Sequence, residues 1–209
     1  PEQRIGLLVD EWGTWFDVEP GSNPGHLYQQ NTMRDAMVAA LTFNVFHRYA
    51  DRISMANIAQ IANVLQSMVL TRGEEMVLTP TYHAFWLYRP HQGATYVPTQ
   101  CSAPERKVTP TRSVPEVSVT ASRDKEGKLH LSLVNPELEK EAQLVVSFDA
   151  LQPKQVSGTM LQADAIDAYN DFGKNANRVG IRPFKGAKIS RTGIELTLPA
   201  ASIVTLTIE

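Results

Sequence analysis

The residue pattern of this 209-residue chain changes character near residue 98. Up to that point short aliphatic runs alternate with Ala-, Met- and Leu-rich stretches in the order strand, helix, strand, helix. Beyond "VPTQCSAPERKVTPTRSVP", whose four prolines continue neither a helix nor a central strand, short period-two alternations take over. The two patterns call for different architectures. The sequence therefore predicts an α/β part over residues 1–98, a linker over 99–113 and an all-β part over 114–209.

In the first part, Arg4 to Val9 is an aliphatic run without clean alternation, as in a parallel strand covered on both faces. It ends on two adjacent carboxylates, Asp10 and Glu11, with Trp12, Trp15 and Phe16 directly after them. The loop "DVEPGSNPG" holds two prolines and two glycines and stops any regular element, whereas Leu27 to Tyr49 reads as a long helix. Residues 36–46 of that helix carry no charge, so its outer face is expected to be covered, by the β-rich part or by another subunit. A second strand, Arg52 to Ala59, closes on Gln60, and "TPTYHAFWLYRPH" gives a further helix broken by Pro90. Two βα units whose strands end in Glu11 and Gln60 suggest part of a (β/α)8 barrel, where reactive groups collect at the C-terminal strand ends. Two units do not close a barrel. Either they form an open α/β layer or further strands precede Pro1, and the absence of an initiator Met favours a piece of a longer protein.

In the second part, "VPEVSVTASR", the turn "DKEG" and "KLHLSLVN" predict a hairpin with one buried face. "AQLVVSFDA", "QVSGTMLQ", "GIELTLP" and "SIVTLTIE" supply further strands of an antiparallel sandwich, with "AYNDFGKNANRVG" as a polar loop between them.

Charge and composition narrow the function. Lys and Arg number 20 against 22 Asp and Glu, with no block of like charge, which leaves no electrostatic footprint for nucleic acid or an anionic membrane. Cys101 is the single cysteine, the five histidines lack metal-ligand spacing, and no apolar stretch reaches transmembrane length. Neither a metal nor another cofactor is expected; a soluble protein is, with the compartment, cytoplasm or periplasm, left undecided by the single cysteine.

The segments "LLVDEWGTWF", "NPGHLYQQNTMRDAMVAALTFNVFHRYADRISMANIAQIANVLQSMVLT" and "VLTPTYHAFWLYRPHQGA" resemble the C-terminal half of family 51 glycoside hydrolases, the α-L-arabinofuranosidases. The resemblance implies the last two βα units of a (β/α)8 barrel, followed by a C-terminal antiparallel, jelly-roll-like β-sandwich. It makes Glu11, the Glu of the Asp-Glu-Trp motif, the catalytic nucleophile of a retaining glycosidase. Trp15 would line the sugar pocket with an apolar plate, and Gln60 would hydrogen-bond a ring hydroxyl. Plainer roles compete with each: a strand end meeting solvent for Glu11, a core aromatic for Trp15, and a side chain satisfied by loop backbone for Gln60. Asp10, on the opposite face of the strand from Glu11, is expected to be structural, and Trp12 to be core.

The family's acid/base, a Glu following an Asn at the end of the fourth strand, has no counterpart in this sequence. The implied partners are thus an arabinofuranoside substrate, a preceding segment or chain bearing the rest of the barrel and the acid/base, and further copies in a homo-oligomer. Two other readings stand beside this one. In the first the β-rich part is a non-catalytic carbohydrate-binding module, although Phe148, Tyr169, Phe172 and Phe184 are the only aromatics after Val114. In the second the same family acts on β-glucan or xylan.

Overall fold

The computed structural model describes residues 5–149 and 151–209, which fall into two compact units. The first comprises the chain up to Trp86 together with Ala163–Gly180; the second comprises Leu87–Gln162 and Ile181–Glu209.

The first unit is a βαβ arrangement. Strand β1 (Leu7–Trp12) pairs in parallel with β2 (Ile53–Ile58), and helix α1 (Met33–Arg48) connects them. The strand expected over Arg4–Val9 therefore lies further along and runs through Glu11; Arg4 itself is outside the described residues. The helix expected from Leu27 begins only at Met33. Leu27 itself sits at φ 53°, closing a short 3-10 turn over Pro24–His26, and a capping box between Thr32 and Asp35 then starts the helix.

Of the charge-free stretch, Ala36, Met37, Ala39 and Ala40 are buried in the chain as it stands, and Val45 is 49% exposed. The lack of charge there is in large part that of core rather than of a face awaiting cover. After β2 the chain makes a hairpin that the sequence reading did not foresee, β3 (Val69–Arg72) with β4 (Glu75–Leu78), and then enters α2 (Pro80–Tyr88).

The polar segment expected to be a loop between strands of the β-rich part belongs instead with the first unit. Met33 N–H donates to Ala168 O and Arg34 N–H to Ile166 O, so two amides at the start of α1 find acceptors in this segment. Asn170 Nδ2 donates to Leu78 O and Val179 O, holding the segment to the end of β4.

The second unit contains two larger antiparallel sheets and a separate two-stranded one. Along the chain its strands are β5 (Thr95–Val97), β6 (Glu105–Thr109), β7 (Arg112–Pro115), β8 (Ser118–Arg123), β9 (Leu129–Asn135), β10 (Ala142–Val146), β11 (Val156–Gln162), β12 (Ile181–Pro183), β13 (Ala187–Ser190), β14 (Gly193–Leu198) and β15 (Ser202–Ile208). One larger sheet has the order β12-β11-β15-β9-β8-β5 and the other β10-β14-β13; the two-stranded one is β6 with β7. Leu131 and Leu133 of β9, Leu206 and Ile208 of β15, and Ile194, Leu196 and Leu198 of β14 join one buried apolar core fed by both sheets. Each such side chain contributes roughly 1.5–3 kcal/mol of hydrophobic stabilisation.

Three expectations are corrected here. The stretch taken as a linker carries an exposed hairpin, β6 with β7, because "TPTR" turns the chain back on itself. The boundary near residue 98 falls inside this unit, since β5 already pairs with β8. Strand β9 is buried on both faces: His91 lies over its outer side, with Nδ1 2.7 Å from Ser122 Oγ and Nε2 2.8 Å from Ser132 Oγ. Ser132 Oγ in turn lies 2.7 Å from Thr205 Oγ1, so the polar residues of that face are hydrogen-bonded to one another rather than solvated.

Candidate active site

Glu11 is the penultimate residue of β1 and is exposed. The Trp12 indole is anchored edge-on to Phe43 and Phe46, with ring centroids 5.4 and 5.3 Å apart, and stacks on Phe85 at 6.1 Å. The register between β1 and β2 shifts between Val9 and Trp12, so β1 is irregular across Asp10 and Glu11, and both carboxylates are exposed. Trp12, expected as core, is half-buried and packs on these three rings. Asp10 is exposed.

Strand β2 ends beside β1. Trp12 is in register with Ile58, and Ala59 N–H donates to Trp12 O at 3.0 Å. Gln60 follows at once, exposed and joined to Ala59 by a cis peptide. Glu11 and Gln60 therefore stand at the same, C-terminal end of two neighbouring parallel strands, where a barrel enzyme keeps its chemistry. Residues 58–61 carry no acid, so β2 offers Glu11 no carboxyl partner.

Trp15 is 66% exposed in this chain. The backbone on either side of it is tied down. Gly13, at φ 142°, lets the chain pass Gln66, whose Cγ stands 2.5 Å from where a Cβ would be. Thr14 Oγ1 donates to Asp35 Oδ1 at 2.6 Å, and Gln66 Nε2 donates to both that oxygen, at 2.9 Å, and Thr14 Oγ1. Asp35 Oδ2 accepts from Thr32 N–H at 2.7 Å and from Thr32 Oγ1 at 2.9 Å. Gln29 reaches the same loop: its Nε2 donates to Thr14 O at 3.2 Å and its Oε1 accepts from Phe16 N–H at 2.8 Å. Gln29, Asp35 and Gln66 are all buried, and sequence reasoning passed over them. The capping-box spacing of Thr32 and Asp35 was the one available signal.

Beyond Trp15 the loop borders an open cleft of about 510 Å3 whose lining includes Phe16, Glu19, Gln30, Arg34, Asp167 and Tyr169. The Arg34 guanidinium lies 3.8 Å from the Phe16 ring centroid. Nearby, burial first and then Asp171, Glu19 and Tyr169 push the Tyr28 phenol above its usual pKa. His47 and His83 are shifted below the usual histidine value, in both cases by burial. Among the described residues no group of three or more His, Cys, Asp or Glu is placed to hold a metal, and no helix is long and apolar enough to cross a membrane.

Residues 10–202 match the α-L-arabinofuranosidase C-terminal domain. The chain belongs to that family. An intracellular exo-α-L-arabinofuranosidase of Bacteroides ovatus is 49% identical over 208 residues, spanning 100% of this chain and 40% of that protein. The crystal structure of a family 51 arabinofuranosidase from Xanthomonas axonopodis pv. citri superimposes with a TM-score of 0.94 at 44% identity, covering 98% of this chain and 41% of that one. An arabinose complex of an α-L-arabinofuranosidase from Thermotoga maritima shares the fold at a TM-score of 0.85 and 24% identity, covering 98% of this chain and 43% of that one. The resemblance to family 51 glycoside hydrolases thus holds over essentially the whole chain, and the chain spans about two fifths of the length of these relatives.

Proposed function

We propose that this chain is the C-terminal part of a retaining, exo-acting α-L-arabinofuranosidase in which Glu11 is the nucleophile. In this reading β1 and β2 are the last two strands of a (β/α)8 barrel and the two antiparallel sheets form its accessory sandwich. The remaining strands, and a protonated carboxyl about 5 Å from Glu11 to serve as acid/base, come from a preceding segment or a separate chain.

The observation that carries the reading is the exposed Glu11 at the C-terminal end of β1, with the exposed Gln60 directly after the neighbouring parallel strand β2 at the same end. In the first step the Glu11 carboxylate attacks the anomeric carbon of a terminal arabinofuranosyl unit while the acid protonates the leaving oxygen. Water, deprotonated by the same group, then releases arabinose from the glycosyl-enzyme. Trp15 offers a flat apolar surface to the C–H faces of the furanose, and Gln60 can both donate to and accept from a hydroxyl.

The names of the relatives support arabinofuranosides over β-glucan or xylan as the substrate class, and the Bacteroides ovatus name supports the cytoplasm. A carbohydrate-binding module would display aromatics on its sheets. Phe184 is instead buried and Phe148 half-buried, while Tyr169 and Phe172 belong to the first unit.

The test is Glu11→Gln in the enzyme with its remaining part supplied, in the same chain or co-expressed. Turnover of an aryl α-L-arabinofuranoside should fall by roughly 10^3-fold or more with the fold intact, since the side chain keeps its size and loses its nucleophile. Activity within a few-fold of the parent would remove Glu11 from the mechanism.

A further inference from the structure

Trp15 is one of the most exposed large side chains of the molecule, yet the residues on both sides of it are fastened to buried groups. The fastening has a specific form. In an extended chain the C=O of one residue and the N–H two residues on point the same way, and a neighbouring parallel strand satisfies both with the N–H and C=O of one residue. Gln29 does this with its side chain: the 1% exposed amide donates to Thr14 O and accepts from Phe16 N–H, as a short piece of strand would. Asp35, fully buried, holds the Thr14 hydroxyl from beneath, and Gln66, which reaches it from the loop after β2, bonds both. Three polar side chains from different parts of the first unit thus converge on the two residues flanking Trp15, and Trp15 is left free to face outward.

We propose that Gln29, backed by Asp35 and Gln66, is a positioning residue that holds the Trp15 indole at a fixed height and angle beside Glu11. The inference rests on the reading of Trp15 as the apolar plate of the sugar site. Gln29 acts through the backbone of residues 14–16, which it bonds at Thr14 O and Phe16 N–H. A plate displaced by about 1 Å disturbs the angle at which the anomeric carbon meets the nucleophile, and misplacement of that size costs up to about 10^2-fold in rate.

The test is a double-mutant cycle in the complete enzyme. Gln29→Met keeps the length and bulk of the side chain and removes both hydrogen bonds. It should lower kcat/KM for an aryl α-L-arabinofuranoside by roughly tenfold or more. In a Trp15→Ala background the same replacement should have almost no further effect, because the plate it positions is gone. A merely structural role predicts an equal loss in both backgrounds, and either that result or an unchanged kcat/KM for Gln29→Met overturns the proposal. Gln29→Glu is the second variant, for the case in which the apolar replacement does not fold. It keeps the acceptor for Phe16 N–H and places an oxygen against Thr14 O, so it should show a partial loss with the same dependence on Trp15. The cycle is independent of the nucleophile assignment: an active Glu11→Gln enzyme defeats the catalytic reading, whereas absence of Gln29–Trp15 coupling in an enzyme that Glu11→Gln does inactivate defeats this one.

Discussion

Asp35→Ala should be among the most destabilising single substitutions in the first unit. The carboxyl is fully buried and accepts from Thr14 Oγ1, Gln66 Nε2, Thr32 N–H and Thr32 Oγ1, with a longer fifth contact from Arg34. The two hydroxyls can rotate to other acceptors, and Gln66 keeps its bond to Thr14 Oγ1. Thr32 N–H cannot move. One to two buried donors are therefore left without a partner, at about 1–3 kcal/mol each, and loss of the helix cap adds about 1 kcal/mol. The sum is about 3–5 kcal/mol. Arg34, 3.4 Å away on the exposed side, changes it little.

A protein of more than one unit does not unfold in a single step, so the effect is best read locally, as amide exchange in the first turn of α1. The amides of Asp35 and Ala36, which donate to Thr32 O, should exchange roughly 10^2- to 10^3-fold faster in the variant. Asp35→Asn, which keeps one acceptor oxygen, should fall between the two. Exchange within about twofold of the parent, together with an unchanged urea midpoint, would show that the network contributes nothing that water cannot replace.

Gln60→Ala should cost roughly 1–3 kcal/mol of transition-state stabilisation through an unpaired sugar hydroxyl. An unchanged kcat/KM on an aryl arabinofuranoside would defeat that assignment. At Gly193, φ is 137° and an added Cβ would stand 2.0 Å from Val146 O, so Gly193→Ala must displace the β10–β14 pairing. A loss of about 2 kcal/mol or more in a thermal melt is expected, and a melt equal to the parent's would contradict the geometry. His47 and His83 have lowered folded pKa values against an ordinary 6.5, so the unfolded chain binds more protons on acidification. Their contribution to stability is fully present above about pH 6.5 and is lost as pH falls through the lowered folded values. The melting temperature should drop over that window, and His83→Gln should flatten the slope; an identical slope in the variant would mean that carboxylates alone set it.

The change from aliphatic to polar residues marked the end of β2, and so Gln60, to within a residue, but β1 runs three residues past that change, through Asp10 and Glu11 to Trp12. The sequence did not show what holds Trp15, since Gln29, Asp35 and Gln66 are polar residues near loops and helix starts, where solvent is the default expectation. Burial of such groups depends on partners 15 to 52 residues away, as the pairs Gln29–Thr14 and Gln66–Thr14 illustrate, and periodicity does not register them. The outer face of β9 escaped for the same reason: His130 and Ser132 alternate as solvated residues do, and only the placement of His91 over the sheet covers them. The segment 163–180 was legible as irregular but not as to where it went. A polar composition marks a chain without regular structure and says nothing about its neighbours.

That returning segment has a consequence during synthesis. The first amides of α1 find their acceptors in residues 166 and 168, so the βαβ portion leaves the ribosome with part of its own surface still untranslated. Roughly 90 residues, most of the β-rich unit, must emerge before Gly180 does, a delay of about 5–20 s at about 5–20 residues per second. During that interval β11 is already made while its partners β12 and β15 are not. Neither unit can be finished before the other has begun, so a fragment cut anywhere between Trp86 and Ala163 severs one of them from its last piece. Exchange of the β-rich part between relatives, whether by recombination or by design, therefore has to leave residues 163–180 with the helix they complete.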